Sequence, residues 1–424
     1  LKTGIEFWKI PDHTLPLVTL IVDIDAGITS EPAGKFGVCQ LTAETLVRGG
    51  TTNMSAEEFN RQAELLGLSF GSRSSQEFTQ VSVSCLAKDL NVAMMMLMDL
   101  IKNPAFDEKE MELVRDGQIE QVKRMEKVPF FQAFNAMSKR LWGEDHPNAR
   151  RPSAKELEAL TKDDLVAFHK AKYHPNISRF AVIGAADDEA CKLIKMKLKN
   201  WKGKAEGTAV LPQAAPMSEE RTIILVDRPG TQAVVAMGHL SVGPKHPDRY
   251  TLEIFNEIYG GAGLSSRLMN QVRTQKGLAY VVMGAHMFQL PTGVFIAGCM
   301  TKNESVVEAI TTIMDVTEQM QKEPVPEEEL SSIVEAVENS FIFRFERPRR
   351  VLSRMLEYRR MGMPEDYLAT YLEKIRAVTP EKIMKAAQDH VHLEKLQIVV
   401  AGPVEELKPQ LETLGWPIEV VDND

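Results

Sequence analysis

The chain repeats itself once, at about half its length, and that duplication limits the folds open to it. "LEALTKDDLVAFHKAKYHPNISRFAVIGAAD" is echoed by "IRAVTPEKIMKAAQDHVHLEKLQIVVAGPVE", with Thr161 matching Thr379 and Gly184 matching Gly402, each 218 positions apart. Both phrases read as a Thr-capped helix, a short turn, an apolar strand and a closing Gly. Upstream, "DLIKNPAFDEKEMELVRDG" echoes "EQMQKEPVPEEELSSIVEA", with Pro104 and Pro324 separated by 220. Earlier still, "LGLSF" before the alternating "QVSVSCLAKD" echoes "KGLAYVV" before "GVFIAGCMTKN", at an offset of about 210. A period this long signals two copies of a whole domain, not a stack of short repeats.

The expected division is a first domain over residues 1–204, a linker over 205–219 and a second domain over 220–424. The linker region, "KGKAEGTAVLPQAAPMSEE", is rich in Ala, Gly, Pro and Glu and has no periodicity. Within each copy, alternating strands precede a helix, a hairpin-like pair of strands, two or three long helices and a last strand. Clustered strands with helices in blocks predict an α+β fold, in which a mostly antiparallel sheet is covered by helices. Strict βαβ alternation is absent, which disfavours a doubly wound parallel sheet. At 424 residues the chain has ample apolar material for such cores.

Charge and composition exclude several function classes. A net charge of −9 argues against a general nucleic-acid binder. One local exception, "RFERPRRVLSRMLEYRR", carries seven arginines and reads first as a solvated, salt-bridged helix start. "VAMMMLMDLI" is too short to span a bilayer and reads as a buried helix, so no membrane span is expected. The four cysteines form no CxxC pair and sit in apolar contexts, as buried free thiols do.

The stretch "GVCQLTAETL" places Gln40, Ala43 and Glu44 at i, i+3, i+4 spacing, on one face of a helix. "GGAGLSSRL" lacks phosphate-loop spacing and reads as a turn with Ser265 or Ser266 capping the next helix. It also lacks the G-x-S-x-G elbow of a serine hydrolase. His390 and His392 lie in a helix-to-strand turn, and His169 and His174 lie at the matching junction of the first copy. All four read as structural.

The chain resembles the pitrilysin and mitochondrial-processing-peptidase family of zinc peptidases across essentially its whole length. "DAGITSEPAGKFGVCQLTAETLVRGGT" keeps Ala26, Gly27, Glu31, Gly34, Gly37, Gly49 and Thr51 in the frame of the family's first-domain phrase. "YGGAGLSSRLMNQVRTQKGLAY" matches the second-domain phrase almost letter for letter. The first phrase ordinarily contains H-x-x-E-H, two zinc-ligating histidines with a Glu as general base. Residues 37–48 hold the degenerate counterpart, with Gln40, Ala43 and Glu44 at those three positions. The family's third ligand, a Glu further along, is expected near Gln121; Glu120 would point roughly 100° away on a helix. Metal binding in this chain is therefore not expected.

Arg273 and Tyr280, seven apart in "RTQKGLAY", match the pair that the second domain contributes to the family's active site. The resemblance implies half of a clamshell that pairs with a homologous H-x-x-E-H-containing subunit as a heterodimer and encloses peptides. It also implies zinc in that partner, with Arg273 and Tyr280 completing the partner's site. An alternative is a purely structural or peptide-binding homologue without a catalytic role, like the core proteins of respiratory complexes. A stand-alone enzyme of other chemistry is disfavoured, because no clustered nucleophile, ligand set or cofactor loop is visible. Export to a bacterial periplasm is the expected setting, on the habits of similar proteins and the absent initiator Met; the cytoplasm is the other option.

Overall fold

The computed structural model describes residues 4–421. In chain order the first part runs β1 (Glu6–Pro11), β2 (Leu17–Ile24), α1 (Val38–Leu46), α2 (Ala56–Leu65), β3 (Ser69–Ser74), β4 (Thr79–Leu86), α3 (Leu90–Lys102), α4 (Glu108–Met125), α5 (Pro129–Trp142), α6 (Ala154–Glu158), α7 (Lys162–Lys172), β5 (Ser178–Gly184) and α8 (Asp188–Leu198). There follow β6 (Thr222–Asp227), β7 (Gln232–Ser241), α9 (Arg249–Asn256), β8 (Ala279–Met287), β9 (Gly293–Lys302), α10 (Val306–Lys322), α11 (Glu327–Phe341), α12 (Pro348–Arg360), α13 (Tyr367–Arg376), α14 (Pro380–His390), β10 (Gln397–Gly402), α15 (Val404–Glu412) and β11 (Ile418–Val421). The predicted α+β fold with two homologous domains is the one observed. Thr161 and Thr379 cap α7 and α14, each accepting from a backbone N–H three residues on.

Two compact units are present. The first comprises residues up to Arg124 with Arg151–Leu211 and Arg347–Leu352; the second comprises Met125–Arg150, Pro212–Glu346 and Ser353 onward. The segment 125–150, which falls inside the span 1–204 assigned to the first domain, thus packs with the second unit. Residues 205–219 are not a free tether either. The Ala205 backbone exchanges two hydrogen bonds with the Asn176 side chain, and the Ala215 N–H reaches the Trp142 carbonyl.

The first unit's sheet has the order β1-β5-β2-β4-β3, with only β1 and β5 parallel. Strand β4 alternates buried and half-buried residues, the mark of a sheet with one apolar face. Val18, Leu20, Val22, Ile24, Val81 and Val83 join the helices in one core. The opposite face carries a polar ladder across three strands. Gln80 donates to Asp23 at 2.8 Å, and Arg179 reaches Asp23 at 3.0 Å and Asp25 at 2.7 and 2.6 Å.

The second sheet has the order β11-β6-β10-β7-β9-β8, antiparallel from β10 to β8 and parallel from β10 to β11. Its central strands are buried throughout, as in "IILV" of β6 and "IVVAG" of β10. Both faces are covered. One joins the helical core of this unit; the other packs Ile224, Val226, Val234, Ala236 and Val399 against Ala133, Met137, Leu141 and Trp142 of α5. Among the described residues, no helix is long and apolar enough to cross a membrane.

Candidate functional site

Helix α1 begins at Gly37, whose φ of +90° places it in the left-handed region that favours Gly. A Cβ there would also lie 2.5 Å from Leu157 Cδ2. Ahead of it, Glu31 Oε1 accepts from the N–H groups of Gly37 and Cys39 at 3.0 and 2.9 Å. A carboxylate at a helix N-terminus satisfies its free donors and complements its dipole. Cys39 is sealed in the core, and burial pushes its thiol up to about 12, so it is inert.

The helix turns Gln40 and Glu44 to one side, and Gln40 Nε2 donates to Glu44 Oε1 at 2.8 Å. Ala43 is buried beside them. The residue that meets this pair from α4 is Gln118, whose Nε2 donates to Glu44 Oε2 at 2.9 Å. Gln121, the position expected from the sequence, is exposed on α4, as is Glu120. Gln118 lies three residues earlier and is buried; it, and not Gln121, is the α4 side chain hydrogen-bonded to Glu44.

Each oxygen of the Glu44 carboxylate thus accepts one amide N–H, in a cluster closed on itself. It has one carboxylate and two neutral amides where a zinc site needs imidazoles and acids. Ala43 offers no base to a bound water. These residues do not fit a zinc ion.

In the second unit, α9 continues into two π-helical segments, Glu257–Gly261 and Met269–Gln275. Gly260 lets the first lie directly on β8, since a Cβ there would come 2.5 Å from the Gly284 carbonyl oxygen. "SSRL" is structural. The Ser265 and Ser266 hydroxyls donate back to the carbonyls of Ala262 and Gly263 rather than capping the following helix. Arg267 forms a bidentate pair with Glu329 of α11 at 3.1 and 2.6 Å, and Leu268 enters the core.

Arg273 projects from the second π segment, and Tyr280 lies in β8, the edge strand. Between Ala279 and Val282 the register with β9 slips. This bulge holds Tyr280 and Val281 and turns both outward. The Arg273 guanidinium carbon sits 4.3 Å from the Tyr280 ring centroid, in cation–π range. Tyr280 is 77% exposed. Neither its hydroxyl nor the guanidinium makes a hydrogen bond among the described residues. Sequence reasoning named both residues, but the π segment and the bulge that present them have no sequence signature of their own.

Two of the histidines read as structural are tied to backbone carbonyls: His169 Nε2 lies 2.9 Å from that of Ile101 and His174 Nε2 2.8 Å from that of Lys170. The backbone N–H of His392 donates to His239 Nε2 at 3.0 Å, and the His392 Nδ1 lies 3.6 Å from Glu394 Oε1. His390 instead meets a side chain, Asp248, at 2.7 Å.

A helix lacking its zinc ligands and an edge strand presenting Arg and Tyr, on two copies of one α+β domain, define a degenerate member of a two-domain zinc-peptidase class. Residues 9–148 match the family profile described as insulinase (peptidase family M16), and residues 159–337 match that of the peptidase M16 inactive domain. The chain belongs to peptidase family M16. It is 23% identical to the uncharacterized zinc protease YmxG of Bacillus subtilis over 90% of this chain and 92% of that protein. It is 20% identical to the non-peptidase homolog YmxG of Helicobacter pylori, over 92% and 90% respectively. The crystal structure of a peptidase M16 inactive domain from Pseudomonas fluorescens superposes with a TM-score of 0.83 at 22% identity, covering 95% of this chain and 96% of that one.

Proposed function

We propose that this chain is the zinc-site-lacking subunit of a heteromeric zinc metallopeptidase, and that it pairs with an H-x-x-E-H-bearing homologue to enclose peptides. One observation carries the reading: Arg273 and Tyr280 are held outward with their donors unspent, in a chain whose own α1 helix cannot bind zinc. The name of the Helicobacter pylori relative, a non-peptidase homolog, supports the absence of activity in the isolated chain.

The partner supplies the zinc, which makes a bound water nucleophilic at neutral pH. This chain's share is hydrogen-bond donation. The phenol O–H and the guanidinium N–H groups are placed to donate to a peptide carbonyl oxygen as negative charge develops on it. Such donors act most strongly where water is excluded. The exposed edge of β8 also offers unpaired backbone groups to an extended peptide.

Peptide hydrolysis measured with the chain alone, and then mixed with each H-x-x-E-H homologue encoded in the same genome, tests the pairing. Turnover is expected only in a mixture. In that mixture Tyr280→Phe should lower kcat by about 10²–10³, the usual cost of one oxyanion donor. Unchanged turnover in Tyr280→Phe would remove the catalytic role and leave a structural or peptide-binding homologue.

A further inference from the structure

The turn ahead of α9 and the last residue of α14 bring three metal-competent side chains together. His246, Asp248 and His390 each offer one ligand atom, and these atoms all lie within 4.8 Å of one another. His390 Nε2 is 2.7 Å from Asp248 Oδ2, and His246 Nδ1 is 3.8 Å from the same oxygen. The two imidazoles meet edge to face, with centroids 4.7 Å apart. The mounting is fixed. Helix α9 packs on α14, and the turn is closed by the His246 N–H on the Gly243 carbonyl and the Arg249 N–H on the His246 carbonyl. All three residues are half-buried, so solvent and ions reach them.

Two features separate this cluster from an ordinary His–Asp hydrogen bond. Asp248 stands at the N-cap of α9, where an Asp side chain usually accepts from the first N–H groups of the helix. It makes no such bond and directs its carboxylate to His390. Secondly, one hydrogen bond requires only one imidazole. His246 accepts the Asp248 backbone N–H at 3.2 Å and has no hydrogen bond to the carboxylate, yet its ring is held beside it. Two imidazoles and a carboxylate around one point form a borderline donor set that suits late first-row divalent ions.

We propose that His246, Asp248 and His390 bind one divalent transition-metal ion of the Zn²⁺ or Co²⁺ class, with water completing its coordination. Metal–ligand distances of about 2.0–2.2 Å put tetrahedral ligand atoms roughly 3.4 Å apart. The ion therefore takes the His246 Nδ1 lone pair from the Asp248 backbone N–H, draws that ring inward and lets His390 and Asp248 separate slightly. His390 binds as the tautomer with its proton on Nδ1. Three protein ligands leave open positions, the pattern of exchangeable rather than closed structural sites. This revises the expectation that the chain holds no metal. The site involves no residue of α1 or of the Arg273–Tyr280 pair, so it stands whether or not a peptidase partner exists.

Titrating the metal-stripped full chain with Co²⁺ reads the site directly. Ligand-field absorption should saturate at one Co²⁺ per chain, be displaced by Zn²⁺ and resist excess Mg²⁺, which prefers oxygen ligands. His246→Ala and Asp248→Asn should each weaken Co²⁺ binding at least about tenfold, with unchanged far-UV circular dichroism. His390→Ala also removes the tie between α14 and the turn; if it unfolds, the His246 variant still decides. Absence of saturable bands, or undiminished binding in both His246→Ala and Asp248→Asn, overturns the proposal.

Discussion

The two copies of the domain treat their sheets in opposite ways. In the first, one face of the sheet is apolar and the other carries the Gln80–Asp23–Arg179 ladder. In the second, both faces are apolar, and α5 covers the one that the polar ladder occupies in the first copy. The functional groups contrast as well. Gln40, Glu44 and Gln118 satisfy one another, whereas Arg273 and Tyr280 stack together and keep their hydrogen-bonding atoms for something else. The lesson is that the domain plan rests on the helix-covered face alone. The remaining face and the exposed edges can take different chemistry without altering the fold.

The strongest way to break this contrast is to rearm the first copy. Gln40→His, Ala43→Glu, Glu44→His and Gln118→Glu together should add one zinc ion per chain over the parent. Complete protein zinc sites are worth on the order of 10 kcal/mol. Unchanged zinc stoichiometry, by elemental analysis after dialysis, would mean that these four residues do not share a ligand face.

The sheets differ by a smaller amount. Trp142→Ala removes a buried side chain of α5 and should cost about 3–5 kcal/mol. Thr19→Val on the polar face of the first sheet, losing only its bond to Ser84, should cost about 1 kcal/mol or less. Urea unfolding midpoints compare the two, and equal shifts would erase the distinction.

Acid should affect both units alike. Burial holds His239 of the second unit and His169 of the first down at about 4, against an ordinary imidazole value of 6.5. The unfolded chain takes up a proton near pH 6.5 that the native state refuses until about pH 4. Stability is therefore complete above pH 6.5 and falls as pH drops toward 4, by up to about 3 kcal/mol for fully buried His239. A urea midpoint that stays flat over that range contradicts this. A modest effect is expected at Glu44→Ala, which strands the Gln40 and Gln118 amides at a cost of about 1–2 kcal/mol; an unchanged melting curve would show that the cluster contributes nothing.

Much of this was legible in the residues. The duplication, the capped helices at Thr161 and Thr379 and the alternation of "QVSVSCL" against the apolar runs of β6 and β10 all follow from periodicity. The crossing of 125–150 into the second unit was not legible, because an amphipathic helix does not say which sheet it covers. Gln118 was missed for a related reason: which turn of α4 reaches Glu44 depends on how the two helices pack, not on spacing along the chain. His246 and Asp248 lie more than 140 residues from His390, and no local pattern joins them.

By itself, the sequence determined what chemistry was available. Gln40 and Ala43 cannot replace a ligating imidazole and a general base, because a neutral amide is a weak zinc donor and a methyl is none, and the single carboxylate of Glu44 does not make a zinc site. Tertiary structure alone decided where groups meet and what they face: Gln118 on Glu44, Tyr280 turned outward by a bulge, and His390 on the Asp248 turn. Residue type sets donor and acceptor properties. Helical phase, strand register and long-range packing set their partners, and those depend on the whole chain at once.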